Sequence, residues 1–214
     1  MKTFLVLLAA VIINAAQIGV LKYKKGIVKV KHQGSILKRS LNAGDAVNSG
    51  DTVYTYDSLA KIVLNDGSVI KLDRQSEIKF DKKIVQNEGK IYYHIKHRKV
   101  GTLEVMTNFT TIGVKGTVFV VDNSNKTIGL KKGVISLNAK EGVYKIHKLK
   151  KEFDNYKKSV TDEFNSYKKK MQKEFIEYKK SFDIKSNTMV IFSGKNEVYE
   201  KKLDNSMFKV FESF

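Results

Sequence analysis

Gly113-Val114-Lys115-Gly116-Thr117, inside the run TTIGVKGTVFVV, has the strongest claim to chemistry in this chain. Glycines around a lysine, followed by a hydroxyl residue, are the ingredients of a phosphate cradle. The spacing is wrong for one. A Walker loop needs Gly, four residues, then Gly-Lys-Ser/Thr opening a helix, and here an apolar strand pattern follows. No G-x-G-x-x-G fingerprint occurs either. Of the histidines, His32, His94, His97 and His147, the pair His94 and His97 is three apart, which puts them on opposite faces of a strand, and no cysteine can complete a metal set. Asp66-Gly67-Ser68 reads as a turn, without the context of a nucleophile elbow. The expectation is a protein with no catalytic set, no metal and no cofactor, and so not an enzyme.

The elements that position these residues begin with a leader. Lys2, an apolar run from Phe4 to Ile13 and the exit Asn14-Ala15-Ala16 follow the plan of a secretory signal peptide over 1–16, too short to span a bilayer. No later segment is apolar for long, so the mature protein is expected to be exported to the periplasm or cell envelope, not transmembrane. Forty Lys and Arg against 22 Asp and Glu give a net charge of +18. Outside the inner membrane that charge points away from nucleic acid and toward lipid head groups, acidic glycans and cell-wall polymers. Lys22, Lys24, Lys25, Lys29, Lys31, Lys38 and Arg39 form an acid-free stretch that reads as a polyanion stripe.

From Gly26 to Leu137 the pattern is β. In GIVKVKHQG, Val28 and Val30 point inward while Lys29 and Lys31 point outward. Ala60, Ile62 and Leu64 alternate up to an Asp-Gly hairpin turn, and Ile70 and Leu72 return. Gly113 and Gly116 suit a tight corner between strands. Thr117, Phe119 and Val121 then share one face and Val118 and Val120 the other, which makes this a strand buried on both sides.

The ordered set resembles the FecR domain, the periplasmic domain named for the regulator of ferric-citrate transport. The residues are Gly50-Asp51 and Thr55, Asp66-Gly67-Ser68, the block Gly113, Val114, Gly116, Thr117 and Phe119, and Gly133 before a last strand. Lys115 stands where the family usually has Arg. The resemblance implies a compact β-roll or β-solenoid-like unit acting outside the inner membrane, with these motif residues structural. The best-known members are transmembrane anti-sigma regulators. This chain passes from leader to β unit, so the expectation is an interaction module without direct anti-sigma activity.

Beyond Gly142 the text changes. KKEFDNYKKSV, TDEFNSYKKKM and QKEFIEYKKSF repeat with a period of 11. Phe153, Tyr156, Val160, Phe164, Tyr167, Met171, Phe175, Tyr178 and Phe182 fall at spacings of three and four, which predicts one helix over 145–184 with an apolar seam. Glu152, Glu163 and Glu174 on one flank lie five residues ahead of Lys157, Lys168 and Lys179 on the other. That offset suits a parallel homodimer, while bulky seam residues suit packing on the protein's own β unit. Lysine stems flanking aromatic residues suit an anionic membrane surface, against which the acidic flank argues.

The expected architecture is mainly β: a FecR-like domain over 17–144, a long amphipathic α-helix over 145–184 and a C-terminal β-hairpin and tail over 185–214. Within the tail, TMVIFSG and EVYEKKL read as a hairpin, and SMFKVFESF as an amphipathic segment of open type. The expected function is an adaptor that binds an envelope protein or an anionic surface polymer. The alternative is the sensory component of a trans-envelope signalling relay with a membrane-spanning partner.

Overall fold

The computed structural model describes residues 15–97, 101–148 and 175–214. Most of the expected leader, residues 1–14, and repeat residues 149–174 lie outside these.

Short alternating runs form the strands, because period-two burial is the only way each can bury one face. The first are β1 (Gln17–Lys25), β2 (Val28–Lys31), β3 (Lys38–Ser40), β4 (Ala46–Asn48) and β5 (Thr52–Thr55). Next come β6 (Leu59–Leu64), β7 (Val69–Leu72), β8 (Glu77–Phe80), β9 (Ile84–Glu88) and β10 (Lys90–His94). The middle of the chain holds β11 (Leu103–Met106), β12 (Thr111–Val114), β13 (Val118–Asp122), β14 (Thr127–Lys132) and β15 (Val134–Asn138). The last are β16 (Tyr144–Lys148), β17 (Phe175–Lys179), β18 (Ser181–Lys185), β19 (Thr188–Ser193) and β20 (Glu197–Lys202).

Two sheets result. One has the order β17-β16-β20-β19-β14-β13-β10-β7-β6-β1-β4, the other β18-β15-β12-β11-β9-β8-β5-β2-β3. Leu21, Ile62, Ile91 and Phe119 of the first and Val30, Val53, Val105 and Ile135 of the second join in one buried cluster, so the sheets pack face to face. The chain shuttles between them, and both grow in the same direction as it does.

This corrects the solenoid-like expectation. A solenoid stacks one repeated unit on the next, whereas here most neighbouring strands pair antiparallel, within two sheets between which the chain alternates. Among the described residues only β9·β11 and β16·β20 pair in parallel.

The long helix over 145–184 is also overturned. Its ends are strands: β16 pairs with β17, and β18 with β15. Seam residues Phe175 and Tyr178 belong to β17. Phe182 lies in β18, buried with Ile184 and edge-on to Tyr144, ring centres 5.5 Å apart. The period of 11 masked a period of two in Tyr144-Ile146 and Phe182-Ile184, and pairing with sheet edges decided between them. The other seam residues, Phe153 to Met171, lie outside the described residues, as do Glu152, Glu163, Glu174, Lys157 and Lys168.

The open C-terminal segment is a 3₁₀ helix, Asn205–Ser213, started by Asp204, whose carboxylate accepts from the Ser206 amide at 2.9 Å. It lies on the outer face of the first sheet, where Leu203, Met207, Phe208 and Phe211 cluster with Val120 and Tyr92. That contact explains a strand apolar on both faces. Phe119 and Val121 enter the main core while Val120 meets this clasp. Gly129 permits it, since a Cβ there would lie 2.9 Å from Leu203 Cδ1 and Met207 Sδ.

Candidate anion-binding edge

The family-type motif residues take structural posts. Asp51, 1% exposed, accepts from the Asn48 amide at 2.9 Å, and its Oδ1 lies 2.8 Å from His32 Nδ1. Its carboxylate thereby ties the β4–β5 turn, which Gly50 enters at φ +87°, to the β2–β3 connection. Thr55 Oγ1 donates to the Asp73 carbonyl at 2.6 Å and accepts from the Ser76 amide at 2.9 Å, fixing the β7–β8 turn.

The Asp66-Gly67-Ser68 turn closes as expected, with the Asp66 carboxylate accepting from the Ser68 amide at 2.8 Å. Only Gly67 has a positive φ there, +77°, which is the geometry of a type I turn ending in a left-handed glycine. The corner predicted for Gly113 and Gly116 divides. Gly116 (φ +79°) packs so closely on His97 that a Cβ would lie 3.0 Å from its Cα. Gly113 lies inside β12 with room for a side chain. Gly133 packs on Gly116 and Thr117, while Val114 and Phe119 are buried in the core. His94 and His97 are both exposed. Among the described residues no group of His, Asp and Glu could hold a metal ion.

The basic stripe is split by the fold. Lys22, Lys24 and Lys25 lie on β1 in the first sheet. Lys24 is committed there, donating to the Leu41 carbonyl at 3.1 Å and to Asn42 Oδ1 at 2.8 Å. Lys29 and Lys31 on β2 and Lys38 and Arg39 on β3 belong to the second sheet, whose edge strand is β3. Register places Lys31 directly opposite Lys38 and Arg39 opposite inward-facing Val30. Lys29, Lys31 and Lys38 therefore share the outer face.

Tyrosines complete this face. Tyr54 pairs with Lys29 across β2·β5, and Lys38 Nζ stands 3.6 Å from the centre of the Tyr54 ring. Tyr56 lies within 6.0 Å of both Lys29 and Lys38. Burial and the nearby Glu77 raise the Tyr54 pKa, while Lys38 opposes them. Glu77 is the nearest acid along the face, opposite Tyr54 on β8, and it accepts from Asn87 Nδ2 at 2.7 Å. Among the described residues Lys29, Lys31 and Lys38 form no ion pair. Like charges directly opposite across a ladder destabilise it, so the Lys31–Lys38 pair is a cost to the fold that an anion would relieve. Sequence reasoning found the cations and missed Tyr54 and Tyr56, whose place depends on the β2·β5 pairing.

Residues 51–140 match the family model FecR, described as FecR protein, in accord with the resemblance carried by the motifs. The matched segment runs from Asp51 to just beyond β15, while both sheets extend past it at each end. Lys29, Lys31 and Lys38 fall outside it. Two crystal structures of a candidate anti-sigma factor from Parabacteroides distasonis ATCC 8503 align with this chain at 13% identity, with TM-scores of 0.48 and 0.49. The alignments cover 74% and 75% of this chain and 61% and 62% of those chains, so it spans about six tenths of their length. No curated protein sequence matches significantly. No described helix is long and apolar enough to cross a membrane.

Proposed function

We propose that this chain, with its FecR-type segment at 51–140, is a non-enzymatic, exported binding module of the cell envelope that holds an anionic partner on the β2–β3 edge. One observation carries the reading. Lys31 and Lys38 face each other on an exposed sheet edge, beside Lys29 and two tyrosines, with no ion pair among the described residues. Cations over aromatic faces keep their charge forward while their stems are packed, an arrangement suited to a run of acidic groups. The site is electrostatic, so affinity should fall steeply with salt.

Binding to dextran sulfate, followed by fluorescence anisotropy, tests this. The wild type should lose roughly tenfold or more in affinity between about 50 and about 200 mM salt. Lys31→Glu/Lys38→Glu should bind far more weakly at the lower salt. Equal binding by wild type and variant would count against the site.

The FecR-type match also supports a second reading, the sensory arm of a signalling relay with a membrane-spanning partner. A defined complex with a spanning protein encoded beside it, formed on co-expression and lost on mutation of this chain's surface, would favour that reading.

A further inference from the structure

The β2–β3 connection presents a feature that a soluble polymer does not use. Ile36 and Leu37, adjacent in the chain, are 91% and 63% exposed. They are not a loose end. The Ser35 amide donates to the His32 carbonyl at 3.0 Å, with Gly34 at φ +76° completing the turn. The Leu37 amide donates to Ser35 Oγ at 3.1 Å, and that hydroxyl lies 3.3 Å from the Leu37 carbonyl. The base is anchored by His32 on the buried Asp51. The fold therefore builds a turn whose outcome is two apolar side chains in water.

Cations flank this tip. Lys31 and Lys38 close the ladder at its base, directly opposite each other, and Arg39 follows on the exposed edge strand. Behind them Lys29 and Lys38 stand over Tyr54 and Tyr56. An apolar tip followed by a belt of cations with long aliphatic stems is the order in which a lipid interface changes from acyl chain to head group. A protein pocket could take Ile36, but it would not by itself call for unpaired cations of one sign around the tip.

We propose that the β2–β3 hairpin docks the protein on an anionic lipid bilayer. Ile36 and Leu37 enter the boundary between head groups and acyl chains, and Lys29, Lys31 and Lys38 meet head-group phosphates. This rests on the anionic-partner reading and names the partner class for the same edge.

The test is co-sedimentation of the chain from Gln17, which carries every described strand and omits the apolar leader. Vesicles are of phosphatidylglycerol and phosphatidylcholine in equal parts, or of phosphatidylcholine alone, with dextran sulfate binding measured in parallel. The wild type should pellet with the anionic vesicles only. Ile36→Ser/Leu37→Ser changes only exposed side chains, so folding is not at risk. It should lose vesicle binding tenfold or more while dextran sulfate binding changes less than twofold. Lys31→Glu/Lys38→Glu should weaken both, with each lysine removed accounting for about fivefold on vesicles. Dextran sulfate binding without vesicle binding, or vesicle binding indifferent to Ile36→Ser/Leu37→Ser, overturns the lipid proposal and leaves the anionic-partner reading standing. Failure to bind either partner overturns both.

Discussion

Lys38 Nζ lies 3.6 Å from the centre of the Tyr54 ring, and this contact joins edge strand β3 to β5 over the intervening β2. Of the charged groups acting on Tyr54, Lys38 favours the phenolate and Glu77 opposes it. Lys38→Ala should therefore raise the Tyr54 pKa further, and Glu77→Gln should lower it. NMR titration of tyrosine ring carbons checks both. A Tyr54 pKa that stays put in Lys38→Ala would mean the contact is absent in solution.

Asp51 should matter more to the fold than to binding. Its buried carboxylate holds the Asn48 amide and His32, so Asp51→Ala should cost about 2 kcal/mol in urea unfolding. His32→Ala, at a half-exposed ring, should cost less than about 1 kcal/mol. Equal costs would show that the turn does not depend on the carboxylate.

The C-terminal clasp should be energetically substantial. Phe208 and Phe211 are nearly fully buried against Val120 and Tyr92, so each change to Ala should cost about 3 to 5 kcal/mol. Lys71 Nζ, which donates to the carbonyls of Phe211 and Phe214, ties the segment to β7. Ending the chain after Leu203 should expose the outer face of β13 and raise binding of a hydrophobic dye. No rise would show that this face is covered some other way.

Tyr144 predicts an alkaline weakness. Burial raises its pKa to about 12 from an ordinary value of 10.0, partly offset by the hydrogen bond from its hydroxyl to Thr110 Oγ1 at 2.8 Å. The folded state thus holds the proton more tightly than the unfolded state. Stability from this group is complete below about pH 10 and is lost as pH rises toward about 12. Tyr144→Phe should cost about 1 kcal/mol at neutral pH and flatten the decline above pH 10. Chemical unfolding at pH 8 and pH 11 measures the difference, and parallel losses in both proteins would contradict the assignment.

How much was legible in the sequence depended on where the deciding contacts lie. Val28, Val30, Ala60, Ile62, Leu64, Ile70 and Leu72 alternate locally, and their strands and inward faces are as read. The burial of Phe119, Val120 and Val121 was legible from their lack of alternation, although what covers Val120 was not. The regular aromatic spacing over 145–184 favoured a helix, while Tyr144–Lys148 is made a strand by β20, Phe175–Lys179 by β16 and Ser181–Lys185 by β15, all distant in sequence. At the candidate site, the run from Lys22 to Arg39 disclosed its cations. The sheet a strand joins depends on long-range pairing, so the separation of Lys22, Lys24 and Lys25 from Lys29, Lys31 and Lys38 could not be read locally, nor could the tyrosines behind Lys38.

The central claim is one of place, and amide NMR under titration with dextran sulfate tests it most directly. The account predicts shift changes confined to Lys29, Lys31, Lys38 and Tyr54 and their neighbours, reversed by added salt. Changes centred on the opposite edge, at β17 and β18, or spread evenly over the lysines of both sheets, would contradict it.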